Sequence, residues 1–267
     1  MDKERRLDMV GVIKRNSARL VIAVLAAGAI SAVAAGAASA EVVYNNIPGS
    51  LPGNFASIGL AATSTTEFGG EVELAGTARK SPTVTVVMSS WACQSGEWTT
   101  DKCLTSKPAK GFRVPLTVRV YAASELGEGP IAEKTKNVKM FYRPSSSSKC
   151  PGGTTWYDET THECSNGYAF PISIKLGNLK KMPKKAVVTF SYPHASGPAT
   201  SLNVSLSEPA EHTLSVGTDP VEEWFANSTN GEMYCPGATD VGTLGPEQGV
   251  GCQGENYQPV IAVSAEA

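Results

Sequence analysis

The chain is poor in the signatures that mark extracellular enzymes and metalloproteins. It has no G-x-S-x-G elbow, no H-E-x-x-H, no P-loop and no EF-hand calcium loop, so local motifs lend no support to hydrolysis or nucleotide chemistry. C-x-x-C is absent and the three histidines, His162, His194 and His212, are scattered, which argues against a zinc site. No fingerprint of another metal or cofactor stands out. Helical periodicity is missing over any useful length after residue 40. Long apolar runs are missing too, with one exception near the N-terminus.

There, a basic stretch carrying Lys3, Arg5, Arg6, Lys14, Arg15 and Arg19 leads into a nearly unbroken apolar run from Leu20 to Ala38, closed by Ala38-Ser39-Ala40. Basic, apolar and small-residue parts in that order make an export signal, with cleavage expected before Glu41. The run could just span a bilayer, for which roughly 17 to 25 residues are needed. It is built from Ala and Gly rather than Leu and Ile, however, and ends in a peptidase site. We therefore expect residues 1–40 to be removed and the processed chain to be secreted, extracellular or envelope-associated without stable membrane insertion. Without the signal, 17 Lys and Arg face 22 Asp and Glu, a formal net charge of −5, against 23 and 25 in the whole chain. So acidic a balance lacks the concentrated basic face that phosphates need, and no nucleic-acid partner is expected.

All six cysteines lie beyond residue 40, in three close pairs: Cys93 with Cys103, Cys150 with Cys164, Cys235 with Cys252. Exported chains keep disulfides, and nearest-neighbour pairing makes the smallest topological demand. Each bridge would close a short loop and contribute about 2 to 4 kcal/mol by restricting the unfolded chain.

Between the cysteines the pattern has period two. In Phe112-Arg113-Val114-Pro115-Leu116-Thr117-Val118-Arg119-Val120 apolar and non-core residues alternate without a slip, the pattern of a strand with one wet face. Pro115 falls on the wet phase, and its missing N–H predicts an edge strand. Further strands are predicted over 72–75, 83–88, 138–142, 170–176, 186–192, 202–206 and 260–263, with Gly, Pro, Asn and Ser in the gaps. Many short strands without helices imply an all-β, antiparallel two-sheet sandwich, because each apolar strand face can be buried only against another sheet. Both a jelly roll, the preferred topology, and an immunoglobulin-like arrangement satisfy that demand. No long linker or repeat divides residues 41–267, so one domain is expected.

The stretch Gly70-Glu71-Val72-Glu73-Leu74-Ala75-Gly76-Thr77-Ala78-Arg79, followed by Thr83-Val84-Thr85-Val86-Val87-Met88-Ser89-Ser90-Trp91-Ala92-Cys93, resembles a pattern in uncharacterised secreted bacterial proteins, themselves similar to jelly-roll modules of exported proteins that vary in anchoring. The likeness extends more loosely to residues 116–121, 129–132 and 170–176. It implies a fold and carries no catalytic residues. The tail Val263-Ser264-Ala265-Glu266-Ala267 has neither an apolar run nor a basic stop, so no anchor is expected there.

Chemistry-bearing residues gather in the two predicted disulfide loops. Residues 150–164 carry Trp156, Tyr157, Asp158, Glu159, His162 and Glu163; residues 93–103 carry Glu97, Trp98 and Asp101. Sugars stack apolar C–H faces on aromatic rings while carboxylates accept their hydroxyl hydrogens, and a closed loop lowers the cost of ordering. Trp98, Trp156, Tyr157, Asp158 and Glu163 are the candidate ligand contacts. The competing reading has Trp156 and Tyr157 capping the core, and Trp91 reads as a core residue continuing its strand. Five lysines at 175, 180, 181, 184 and 185 surround a turn, either touching an anionic envelope polymer or simply solvated. Three classes of function remain: a binding module for a glycan or other cell-envelope component, a structural or adhesive surface protein, and, third, an extracellular hydrolase using carboxylates such as Asp158 or Glu163.

Overall fold

The alternation at 112–120 forms the longest strand among the described residues, with Val114, Leu116, Val118 and Val120 buried and Arg113 and Pro115 exposed. The computed structural model describes residues 40–177, 179–207, 214–218, 224–228, 243–247 and 257–267. These contain fifteen strands, three short 3₁₀ segments and no α-helix. One sheet holds β1 (Glu41–Asn45), β2 (Ser57–Gly59), β4 (Lys80–Ser90), β9 (Tyr168–Lys175), β11 (Leu202–Ser207), β14 (Gln258–Pro259) and β15 (Ile261–Glu266). The other holds β3 (Thr65–Glu73), β5 (Gly111–Ala122), β6 (Ala132–Phe141), β10 (Lys185–Ser191), β12 (Trp224–Ser228) and β13 (Gly245–Glu247). A separate two-stranded ribbon joins β7 (Trp156–Tyr157) to β8 (Cys164–Ser165).

The pairing decides between the two sandwich topologies. β5 pairs with β6, β4 with β9, β3 with β10 and β1 with β15, all antiparallel. Each pair encloses the previous one in sequence, so the chain is a long folded-over ladder rolled into two sheets, ordered β1-β15-β4-β9 and β3-β10-β5-β6. This is a jelly roll, with β11 to β13 added between β10 and the last strands. Rolling places the connections 46–64, 91–110, 142–167 and 192–201 at one end of the sandwich, and the shorter connections 74–79, 123–131 and 176–184 at the other.

All eight predicted strands are present, most of them longer than the apolar pattern suggested. One placement is corrected: β5 is not an edge strand, because β10 and β6 flank it. Pro115 is tolerated because β10 pairs only with residues 117–122 of β5, so at Pro115 the strand has a single neighbour, β6. The true edge is β6, whose exposed Lys134, Lys136 and Lys139 discourage pairing with another chain.

Inward residues of both sheets form one apolar cluster that includes Val84, Val86 and Met88 from β4, Leu116 and Val118 from β5, Phe170 and Ile174 from β9, and Val188 and Phe190 from β10. Each such side chain contributes roughly 1.5 to 3 kcal/mol on leaving water. On the outer face of the second sheet the buried Glu67 carboxylate accepts from Tyr121 Oη at 2.8 Å and from Thr189 Oγ1, and faces Arg119 Nη1 at 3.3 Å. Burial, followed by the Glu67 carboxylate, raises the Tyr121 phenol above its usual range. With its oxygens so occupied, Glu67 is a structural lock across three strands.

The lysine turn is tied down by buried Leu176, Leu179 and Met182. Lys184 lies 2.6 Å and Lys185 3.8 Å from Glu73, and Lys175 lies 3.2 Å from Glu266. The Lys184 hydrogen bond holds the Glu73 carboxyl below the ordinary carboxylate range. Beside the turn, the Arg79 guanidinium is spent on the carbonyls of Leu74, Ala75, Gly76 and Ala78. Such commitments favour the solvated-turn reading over a polyanion site.

Candidate functional site

The first stapled loop leaves β4 at Ser90. Cys93 and Cys103 are bonded with Cα atoms 5.3 Å apart, and beside the bridge Ser95 and Leu104 exchange backbone hydrogen bonds of 3.1 and 2.9 Å. Gly96 turns the loop at φ +76°, where a Cβ would sit 2.0 Å from the Lys102 carbonyl oxygen, so only glycine fits. The result is a short rigid arm carrying Glu97 and Trp98. Replacing Cys93 and Cys103 together by Ser is expected to cost about 3 kcal/mol, lowering the melting temperature by roughly 6 to 12 °C in a scanning calorimeter.

Trp98 turns back over Trp91, edge to face, with ring centroids 4.6 Å apart. Trp91 is not core, as its sequence position suggested: β4 stops one residue earlier and the indole is half-buried. Its backbone N–H donates to Ser201 O at 2.8 Å, fixing the 3₁₀ segment Gly197–Ser201 opposite the stapled loop, and its indole N–H donates to Ser89 Oγ at 3.2 Å. Between loop and segment runs a groove of about 520 Å³, lined by Trp91, Gln94, Glu97, Trp98, Tyr142 and Thr200 among others. A second hollow, of about 270 Å³, is lined by Lys107, Pro108, Pro144 and Tyr168 among others. Tyr142 lines both, its ring 5.0 Å from that of Phe112. Gln94 Oε1 accepts from the backbone N–H and the Oγ of Ser106.

Arg143, directly after Tyr142, holds this end of the molecule together. It is fully buried, and its guanidinium donates to Trp98 O (3.3 Å), Thr154 O (2.7 Å), Ser146 Oγ (3.2 Å) and Pro144 O (3.3 Å). One side chain thereby ties the arm bearing Trp98 to the second disulfide loop. Desolvation pushes its pKa down to about 10, so it remains charged at neutral pH.

The second stapled loop carries the other four candidate contacts. Cys150 and Cys164 are bonded, but Trp156 points inward: it is buried, its indole N–H donates to Gly167 O at 2.5 Å, and Tyr168 packs edge to face against it at 5.8 Å. Tyr157 is engaged by Lys149 Nζ, 4.8 Å from its ring centre, and by His162 Nδ1, 2.9 Å from its hydroxyl. Asp158 Oδ1 accepts from the backbone of Thr160 and Thr161, closing the turn between β7 and β8, and Glu163 stands exposed on that ribbon. Of the five candidate contacts, Trp98 is the one that lines either of these two hollows. Trp91, Tyr142, Tyr168 and Gln94 were not anticipated; their one sequence signal is position, three of them standing at or next to the ends of strands that open on the same end of the sandwich. No group of three or more His, Cys, Asp or Glu suited to a metal occurs among the described residues. The third expected pair, Cys235 with Cys252, lies outside the described residues.

Neither protein-family models, curated proteins nor solved structures match this chain. Two disulfides belong to an oxidising compartment, and no helix among the described residues is long and apolar enough to cross a membrane.

Proposed function

We propose that this protein is an exported, non-enzymatic binding module that recognises a glycan of the cell envelope or its surroundings through the groove of Trp91, Trp98 and Tyr142. The observation that carries the reading is the pairing of two half-buried indoles and a phenol with the polar groups of Gln94, Glu97 and Thr200 on a rim held by a disulfide and by Arg143. Aromatic faces take the C–H faces of a sugar ring, amide and carboxylate groups take its hydroxyls, and the braced rim lowers the entropy lost on binding. Among the described residues Glu97 is the one carboxylate lining the groove, whereas glycoside hydrolysis ordinarily employs a pair, which favours binding over turnover. Lysines on the edge strand β6 count against a surface protein that assembles edge to edge. Export is supported by the N-terminal pattern and by the disulfides.

A glycan array probed with the exported protein tests this reading. Binding is expected, and Trp98→Ala should weaken it by about tenfold, the equivalent of one stacked ring. An array without signal, or a Trp98→Ala variant that binds as well as the parent, would remove the proposal. N-terminal sequencing of the exported form should begin at Glu41.

A further inference from the structure

Resting on the glycan reading, we infer that the ligand is an extended, uncharged glycan chain that crosses Tyr142 and occupies both hollows, rather than a terminal sugar seated in the larger one. Three observations converge. The two hollows share a lining residue, Tyr142, and both carry aromatic rings, Trp98 and Trp91 in the larger and Tyr168 in the smaller. At about 520 Å³ the larger hollow alone is within the range of roughly 300 to 1,000 Å³ typical of pockets for drug-sized ligands, larger than one sugar ring. Charge is sparse along the track, with Glu97 in the first hollow and Lys107 in the second; the nearby guanidinium of Arg143 is buried and spent on carbonyls. An anionic polymer would lose the hydration of its carboxylates or phosphates with one exposed ammonium to replace it, whereas neutral sugars need the stacking faces and hydrogen-bonding groups present.

Two linked subsites make affinity depend on chain length, because once the first rings are seated the next are held at high effective concentration beside Tyr168. Calorimetric titration of the exported protein with cello- and chito-oligosaccharides of increasing length, and with oligogalacturonates as the anionic counterpart, tests this. Affinity should rise by about tenfold from disaccharide to tetrasaccharide and then level off, with the oligogalacturonates weaker throughout. Tyr168→Ala should flatten the length dependence while sparing the disaccharide. Because Tyr168 also packs on Trp156, the exposed-loop variant Pro108→Trp, which fills the smaller hollow, serves as a second probe and should flatten it equally. Equal affinity at every length, or tighter binding of the oligogalacturonates, would overturn this inference and leave the glycan reading standing. Failure of every oligosaccharide to bind would overturn both.

Discussion

Arg143→Ala is expected to lower the free energy of unfolding by about 3 to 5 kcal/mol, read as a lower urea midpoint at unchanged m-value. The substitution empties the space of a fully buried side chain and strips Trp98 O and Thr154 O of their guanidinium donor. Thr154 O keeps a hydrogen bond from Ser146 Oγ at 2.9 Å, so the larger penalty falls on Trp98 O and on the arm it belongs to. Glycan affinity should fall with stability, because Trp98 loses its anchor. Arg143→Met separates the two costs: it fills much of the volume without the charge or the donors, and should lose about 1 to 3 kcal/mol. A methionine variant more stable than the parent would mean that burying the charge costs more than the carbonyl cage returns. The pH dependence has a definite sign. A base whose pKa is pushed down to about 10 in the folded state, below the ordinary guanidinium range, costs stability while charged in both states, and that cost is relieved only as the pH rises above about 10. Through the neutral range Arg143 gives no slope to stability.

Trp156→Ala should cost a similar amount, about 3 to 5 kcal/mol, for a different reason. The indole fills the space beneath the 46–64 connection, where even a Cβ on Gly53 would come within 3.2 Å of it, and its N–H satisfies Gly167 O. Its loss is expected to appear in thermal unfolding while disaccharide binding at Trp98, measured well below the melting temperature, persists. Abolished disaccharide binding in a folded Trp156→Ala variant would place the site on the second stapled loop instead.

These two residues show what could and could not be read along the chain. Period two at 112–120 and 170–176 is a local property, since alternate side chains of a strand face opposite ways whatever lies beyond, and every strand with that signal is present. β1, β2, β7, β8 and β12 to β14 escaped notice because they are short, with too few residues for an alternation to show. Disulfide pairing was legible for Cys93 with Cys103 and Cys150 with Cys164 because loop closure favours near neighbours.

The site was only half legible. Both stapled loops carry tryptophan and carboxylates, so composition ranks them alike. They differ in direction: Trp98 lies on an arm folded over Trp91, whereas Trp156 starts a ribbon whose inward side faces Gly53 and Tyr168. By itself, then, the sequence determined the all-β sandwich, the two staples and the kinds of residue available for binding, since these follow from alternation, spacing and composition. Only the tertiary structure decided that the ladder rolls up with four connections at one end, that Trp91, Trp98 and Tyr142 meet there, and that Arg143 braces them. The reason is physical: a groove is made of surfaces from segments far apart in the chain, and their meeting is fixed by long-range strand pairing, on which local patterns carry no information.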